Sequence, residues 1–461
     1  MWIVTKMILY SYRGLSLRIA FVIMGLIFLA GGASAVIYTV CSGGCNFTRI
    51  QDAIYYANTT DGDTILVYND TIENVNVNKS LTLRGIYNGH RPPAVVAQKN
   101  GSSITLSADG ITIDGFIIIN SGVNEEGDDS GGVYITSNNN SILNNSIGFS
   151  VNGNIYSNIN GIYISSSYNN TIINNSINNN QFGIYIKYSS QNLIANNTFT
   201  YDGIFVNNAY QNIVTGNTVN GKPLLYYEND SDKEIKNAGQ VILVNDTNFT
   251  LENLDLSDTT IGAELWNTSL STVANNSFSD NYCGIFLSNY SSLNNITNNT
   301  FTNDGMFVYS SYQNNVTNNT VNGKPLVYLE NLENVSYLEA ANAGQVILVN
   351  DINITLENLN LSNTFVGVEL WGTSQSTVAN NSLNSNKRGI YLNNLSNNDI
   401  IQGNTASNNA DGMFFDSFAT SFSTFNNIIS NNTACNNSNG VYLQNSNNNI
   451  VTNNIRHNPK I

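Results

Sequence analysis

Short runs in which apolar and polar residues alternate recur along most of this chain. Alternate side chains of a strand face opposite sides. The pairs Ile162 and Ile164, Ile184 and Ile186, Ile285 and Leu287, Ile390 and Leu392, and Val441 and Leu443 therefore share one face. Met306 and Met413 fall in the same column and read as packing residues rather than metal ligands. A glycine opens each run. A polar stretch, an aliphatic residue and Asn-Asn-Ser or Asn-Asn-Thr close the unit, which repeats roughly every 22 residues. A second apolar column runs through Ile172, Ile194, Val214, Val273, Ile296, Val316, Val378 and Ile401. Asparagine, glycine and β-branched residues dominate and helix formers are scarce, so each turn is built of strands and tight corners. The pattern predicts an all-β fold, a parallel β-helix whose buried aliphatics each contribute roughly 1.5 to 3 kcal/mol.

A longer repeat overlies the short one. The stretch 201–278 returns at 303–383: DGIFVNNAYQNIVTGNTVNGKPL, AGQVILVNDTNFTLENLDLS and GAELWNTSLSTVANNSF each have a close second copy. Trp266 and Trp371 hold equivalent places in the two copies. Between the matching blocks, Lys222 to Lys236 and Lys324 to Ala341 read as inserted acidic loops, solvated or used for recognition. Residues 36–461 read as one elongated solenoid domain.

The ends of the solenoid differ. Residues 1–35 have the form of an export signal: Lys6, Arg13 and Arg18, then an apolar run from Ile19 to Ala30, then Ala33-Ser34-Ala35. An uncleaved anchor is the alternative, and only in that case does the chain meet a membrane. Thr48 and Gln51 form a capping-box pattern, with Ile50, Ile54 and Ala57 on one face of a short helix that would lid the first coil. Thr64 to Tyr68 reads as the first strand. Cys41 and Cys45, separated by Ser-Gly-Gly, suit a local disulfide in an exported protein. Nothing comparable to the N-terminal helix covers the last coil, which predicts capping by a partner or self-association there.

Charge narrows the function. Only 11% of residues are charged and the net charge is −15, which excludes a nucleic-acid binder. Glu125, Glu126, Asp128 and Asp129 could offer oxygen ligands to calcium, or form a solvated acidic turn. His90 and His457 are the two histidines, and Cys283 and Cys435 lie too many coils apart for a disulfide. No Cys/His spacing marks a metal site.

Two further columns carry candidate chemistry. Asn145, Asn175, Asn197, Asn217, Asn276, Asn299, Asn319, Asn381, Asn404 and Asn432 suit left-handed corners and a ladder of stacked amides. Tyr134, Tyr163, Tyr185, Phe205, Phe286, Phe307, Tyr391, Phe414 and Tyr442 form an aromatic stripe on the outer face. That stripe is either a self-stacking ladder or a platform for sugar rings. Glu264 and Glu369 interrupt it, each two residues before a tryptophan. At about four coils, or roughly 19 Å, they are too far apart to serve as the acid–base pair of one glycosidase site. Each could join its tryptophan in a separate ligand site, with Tyr163, Tyr185 and Tyr391 as further contacts.

FTRIQDAIYYANTTDGDTILVYNDTIENVNVNKSLTLRGI, NTVNGKPLVYLEN, AGQVILVN and GVELWGTSQSTVANN resemble the NosD-like family of exported β-helix proteins. The resemblance implies a right-handed, pectin-lyase-like solenoid of the type shared by carbohydrate-binding proteins and sugar hydrolases. For this family it also implies a periplasmic accessory role in copper-site assembly for nitrous oxide reductase, beside an ABC transporter. Surface proteins of archaea carry similar repeats. The chain lacks the Gly-His-Gly and Arg-Ile-Lys signatures of polygalacturonases. The first expectation is a non-catalytic, exported protein, periplasmic or on the cell surface, that binds a polysaccharide or an envelope protein. The copper-accessory role comes second and a polysaccharide lyase or hydrolase third.

Overall fold

The computed structural model describes residues 35–87, 89, 91–98, 101–119, 130–151, 154–156, 158–335, 342–416 and 425–456. The export signal up to Ser34, the acidic turn with Glu125, Glu126, Asp128 and Asp129, and both histidines lie outside these residues. Among the described residues no helix is long and apolar enough to cross a membrane.

Parallel strands stack coil upon coil, and the register follows the alternation. Ile162 pairs with Ile184 and Ile184 with Ile204, while Tyr163 pairs with Tyr185 and Tyr185 with Phe205. The inward aliphatics from Ile162 to Leu392 and both Met306 and Met413 are buried, while in the last coil Val441 is half-buried and Leu443 is 39% exposed. The glycine that opens a run is required by close approach: a Cβ on Gly183 would lie 2.6 Å from the Gly203 carbonyl oxygen and 2.8 Å from the Phe199 ring.

The two asparagines of each Asn-Asn corner have separate tasks. The first takes the left-handed conformation, as at Asn174 (φ 57°), Asn196 (φ 56°) and Asn298 (φ 57°), with Gly216 and Gly403 standing in elsewhere. The second is buried and builds the ladder. Asn175 donates its backbone N–H and its Nδ2 to Oδ1 of Asn197, and Asn197 does the same to Asn217. Left-handed corner and amide ladder therefore belong to two adjacent columns, not to the single column expected from the sequence.

The N-terminal lid forms over Ile50–Tyr55, burying Ile50, Ala53 and Ile54. Its cap differs from the expected box. Arg49 occupies the N-cap with no side-chain bond, and the carboxylate of Glu73 accepts from the N–H groups of Ile50 and Gln51. Gln51 instead bonds the backbone of Asn76, and Ala57 lies beyond the helix and exposed. A downstream carboxylate out-competes the local hydroxyl because it satisfies two N–H groups at once. The first strand is Ile37–Val40, which pairs with Thr64–Val67. Cys41 and Cys45 are joined, with their Cα atoms 5.6 Å apart.

The solenoid is not continuous, and here the expectation of an unbroken domain with two inserted loops is corrected. At Asn220-Gly221 and at Asn322-Gly323 the chain makes two-residue hairpins. Both central residues have positive φ: 49° and 77° in the first, 51° and 75° in the second. Such turns favour Asn-Gly because both positions must tolerate left-handed backbone angles. The returning strands, Lys222–Glu228 and Lys324–Glu330, run antiparallel to the coil they leave and found a new parallel sheet. Three sections result: Lys222–Glu228 and Ser231–Ile235 take up most of the first expected loop, and Lys324–Glu330 opens the second, of which residues 336–341 lie outside the described residues.

Candidate functional site

The hairpins place the outer face of each new section over the open end of the preceding one. Leu224, Ile242, Val244 and Trp266 join the core of the first section, while Val241, Leu243, Ala263 and Leu265 from the same strands build the core of the second. Leu326, Ile347, Val349 and Trp371 cover the second section in the same way. This is why AGQVILVN is apolar without alternation: both faces of that strand are buried.

Each junction must also satisfy a strand edge that no further coil pairs. Gln240 serves as a substitute backbone amide, its Oε1 accepting from Ile204 N–H (2.9 Å) and its Nε2 donating to Ile204 C=O (2.6 Å). Gln345 does the same for Met306. Two residues further along, Val206 N–H donates to Glu264 and Val308 N–H to Glu369. Both glutamates are fully buried, and desolvation holds their carboxyls well above the usual carboxylate range. The expectation that Glu264 and Glu369 face a ligand is therefore corrected. They point outward from their own section, but that outside is the interior of a junction.

Refolding at the junctions turns the aromatic stripe inward. Within sections the rings stack: Tyr163 on Tyr185 at 4.9 Å, Tyr185 on Phe205 at 5.1 Å, and Tyr391 on Phe414 at 5.6 Å. Between sections they meet edge-on or tilted, Phe205 with Phe286 at 5.4 Å and Phe307 with Tyr391 at 5.2 Å. Tyr282 and Phe365, from neighbouring corners, complete this second apolar cluster outside the solenoid lumens.

The three faces line a half-open cavity of about 600 Å³. Tyr163, Tyr185, Tyr391, Trp266 and Trp371 all line it, so five of the seven candidate contacts are brought together and the two glutamates are not. Trp266 stacks against Tyr210 at 6.0 Å, and Trp371 meets Tyr309 edge-on at 5.1 Å. Tyr290, largely exposed, stands on the cavity wall. Lys187 and Arg388 bring positive charge and Asp416 negative charge. Arg388 lies over the rings of Tyr391 (4.8 Å) and Phe414 (4.6 Å) and 3.8 Å from Asp411. Lys187, Asn160, Ser288, Arg388 and Asp416 were not singled out from sequence. Only the Asn-Gly dipeptides could have shown that distant faces would meet.

The described residues include neither histidine. They contain no group of three or more His, Cys, Asp or Glu side chains able to hold a metal. Cys283 is buried with its thiol pushed well up by desolvation, and Met306 and Met413 are core residues. Copper sites favour thiolate, thioether and imidazole donors converging on one point.

Fold and sequence agree on the class of protein. A model for the right-handed β-helix region matches residues 202–342, which makes this a right-handed parallel β-helix. The model described as periplasmic copper-binding protein (NosD) matches residues 56–226 and 326–461, well over half of the chain. The chain belongs to the NosD family, and it is an exported protein of the periplasm or cell surface. A stretch of 74 residues is 46% identical to a cell surface glycoprotein of Methanothermus fervidus, covering 16% of this chain and only 12% of that relative's length. Among solved structures, a PL6 alginate lyase complexed with a trisaccharide is similar at 11% identity and TM-score 0.29, covering 93% of this chain and 87% of that one. The A-module of Azotobacter vinelandii mannuronan C-5 epimerase is similar at 12% identity and TM-score 0.22, covering 89% and 94%. These likenesses are too distant to bear on function.

Proposed function

We propose that this chain is a non-catalytic binding protein of the cell envelope that takes a glycan into the aromatic cavity between its three sections. One observation carries the reading: aromatic faces from all three sections line one half-open cavity of about 600 Å³. That size suits ligand pockets, which run from about 300 to 1,000 Å³. Aromatic faces stack on the apolar faces of sugar rings, while the Asn, Lys and Arg side chains on the wall suit hydroxyl and carboxylate groups. The likeness of one stretch to a cell surface glycoprotein supports a place in the envelope.

A lyase or hydrolase is less well supported. Glycoside hydrolysis uses two carboxyl groups roughly 5 to 10 Å apart. The cavity wall offers Asp416, while Glu264 and Glu369 are committed to strand edges. Copper-site assembly is the second reading because the family description names copper. The test is a glycan-array screen of the exported protein with copper titrated in parallel by calorimetry. Saccharide binding that disappears in Tyr185→Ala and Tyr391→Ala is the expected result. Tight stoichiometric copper uptake with no saccharide signal would replace this reading with the copper role.

A further inference from the structure

The register of the short repeat sets a second chemical pattern on the surface, outside the cavity. Counted from the first asparagine of a corner, Asn-Asn-Ser and Asn-Asn-Thr are Asn-x-Ser/Thr sequons, the acceptor pattern of N-linked glycosylation, as at Asn174, Asn196, Asn275, Asn298, Asn318 and Asn380. That first asparagine is the left-handed one, with φ between 56° and 58° in all six, and all six are exposed. Among the described residues none of the six side-chain amides is hydrogen-bonded, and none of the six lines the cavity. The ladder asparagine that follows is never the acceptor, because the position two residues after it faces the core: Ile177, Phe199 and Phe301 are 0% exposed. The hydroxyl two residues after the corner asparagine lies one position earlier and faces the other way, so Ser176, Thr198 and Thr300 are exposed. One register thus keeps the ladder inside and sets a free amide and its hydroxyl outside.

We infer that this corner column is a row of N-glycosylation acceptors on the exported protein. Nδ2 of each asparagine attacks the anomeric carbon of a glycosyl (di)phosphate donor. The N–C bond forms, the C–O bond to phosphate breaks, the (di)phosphate leaves with the bonding pair, and the amide gives up one proton. Two observations set the column apart from other sequons of the chain. At Asn248, Asn315 and Asn353 the side-chain Nδ2 is already donated, to Asp232, Asn295 and Asn334, each at 2.7 Å. In the column the amide has no such task, and the corner itself asks only for a residue that tolerates a left-handed backbone. Gly216 (φ 67°) and Gly403 (φ 66°) fill the same place in other coils. The stacking also limits occupancy. Strand Thr272–Ala274 pairs with Asn295–Thr297 and that strand with Asn315–Thr317, so Asn275, Asn298 and Asn318 stand on three successive coils about 4.8 Å apart. A glycan is bulky and wider than that spacing, so Asn298, in the middle, competes with both neighbours. On a chain with only 11% charged residues, sugars along this corner add hydration that ions do not supply.

Glycopeptide mass spectrometry of the protein purified from the cells that export it tests this. Saccharide mass on the corner asparagines is expected, with Asn298 occupied several-fold less than Asn275 or Asn318. Thr198→Val leaves Asn196 and its corner in place and should lose the mass at Asn196. The double variant Asn275→Gly/Asn318→Gly uses the residue that the fold itself places at Gly216 and Gly403, and should raise the occupancy of Asn298 several-fold. Six bare asparagines in the mature protein would overturn the assignment, whether or not sugar is found at other sequons. Mass at Asn196 that survives Thr198→Val would show that the sequon is not what is read, and would overturn it too. Equal occupancy at the three neighbouring sites, unchanged in the double variant, would overturn the crowding between coils. Saccharide binding in the cavity is a separate measurement, and its failure would leave this assignment standing.

Discussion

Two of the three sections have their last coil covered by the chain that follows, whereas among the described residues the last coil of the third section is exposed. At the first junction Ile242 and Val244 are 0% exposed and Trp266 8%, although all three face outward from their own section. At the end of the third section Tyr442 is 40% exposed, Ile450 57% and Ile455 60%. The same type of coil is thus finished in two ways, and the difference shows what the long repeat is for. It is a lid and a new beginning in one module: the hairpin reverses the chain, one strand face closes the old core, and the other starts the next. The aromatic cavity is a by-product of those two reversals, since without them the stripe would face water along one straight rod.

The largest expected effect follows from removing a lid. Trp266→Ala should destabilise by about 4 kcal/mol, in the range for large aromatic truncations in a core, and Trp371→Ala should match it. Urea unfolding reads this directly, and a loss under about 1 kcal/mol would mean that the tryptophans do not close the sections. A ladder position should cost somewhat less. Asn197→Ala strands the buried backbone N–H of Asn175 and removes one acceptor of its Nδ2 and one donor to the carbonyl of Ile172, and should cost about 3 kcal/mol. Asn196→Gly, at the neighbouring left-handed corner, should change stability little, which would separate the two roles of the Asn-Asn pair.

The junctions also predict a pH dependence. Burial pushes Asp202 up to about 7 and Asp304 up to about 8, where each ends an asparagine ladder by accepting from Asn180 or Asn281. In the unfolded chain an aspartate titrates near 3.9, so between about pH 4 and pH 8 the folded protein holds more protons than the unfolded one. Stability from these groups is complete below about pH 4 and falls as pH rises through the folded values. Asp304→Asn keeps an acceptor for Asn281 and should flatten part of that decline. Urea midpoints at pH 5, 7 and 9 that ran parallel in variant and wild type would contradict this. The smallest effect is expected at the open end, where Ile450→Ser should shift stability by no more than about 0.5 kcal/mol.

Much of the fold was legible because the signal is local and repeated. Period-two alternation placed Ile162, Ile184 and Ile285 inward, and the spacing of the asparagines placed the ladder. What was missed arises where one side chain answers to two coils. Glu264 and Glu369 looked like exposed acids because alternation says which way a side chain points, not what will be folded against it. AGQVILVN shows no alternation because a strand buried on both faces loses its period. The decisive signal was present in Asn220-Gly221 and Asn322-Gly323, two Asn-Gly pairs that mark hairpins and a reversal of strand direction. The candidate site was legible only in part: the aromatic residues and tryptophans were singled out, but Asn160, Ser288 and Arg388 are unremarkable in sequence. They become a site only when three sections converge.

The central claim is that each long repeat seals the section before it. Amide hydrogen exchange at Ile204–Asn207 and Met306–Val308 tests this most directly, because these strands have a free edge unless the junction covers them. Protection comparable to that of the inner strand Phe182–Lys187, lost in Gln240→Ala and Gln345→Ala respectively, is the predicted result. Exchange as fast as that of the uncovered strand Ile450–Thr452 would contradict the account.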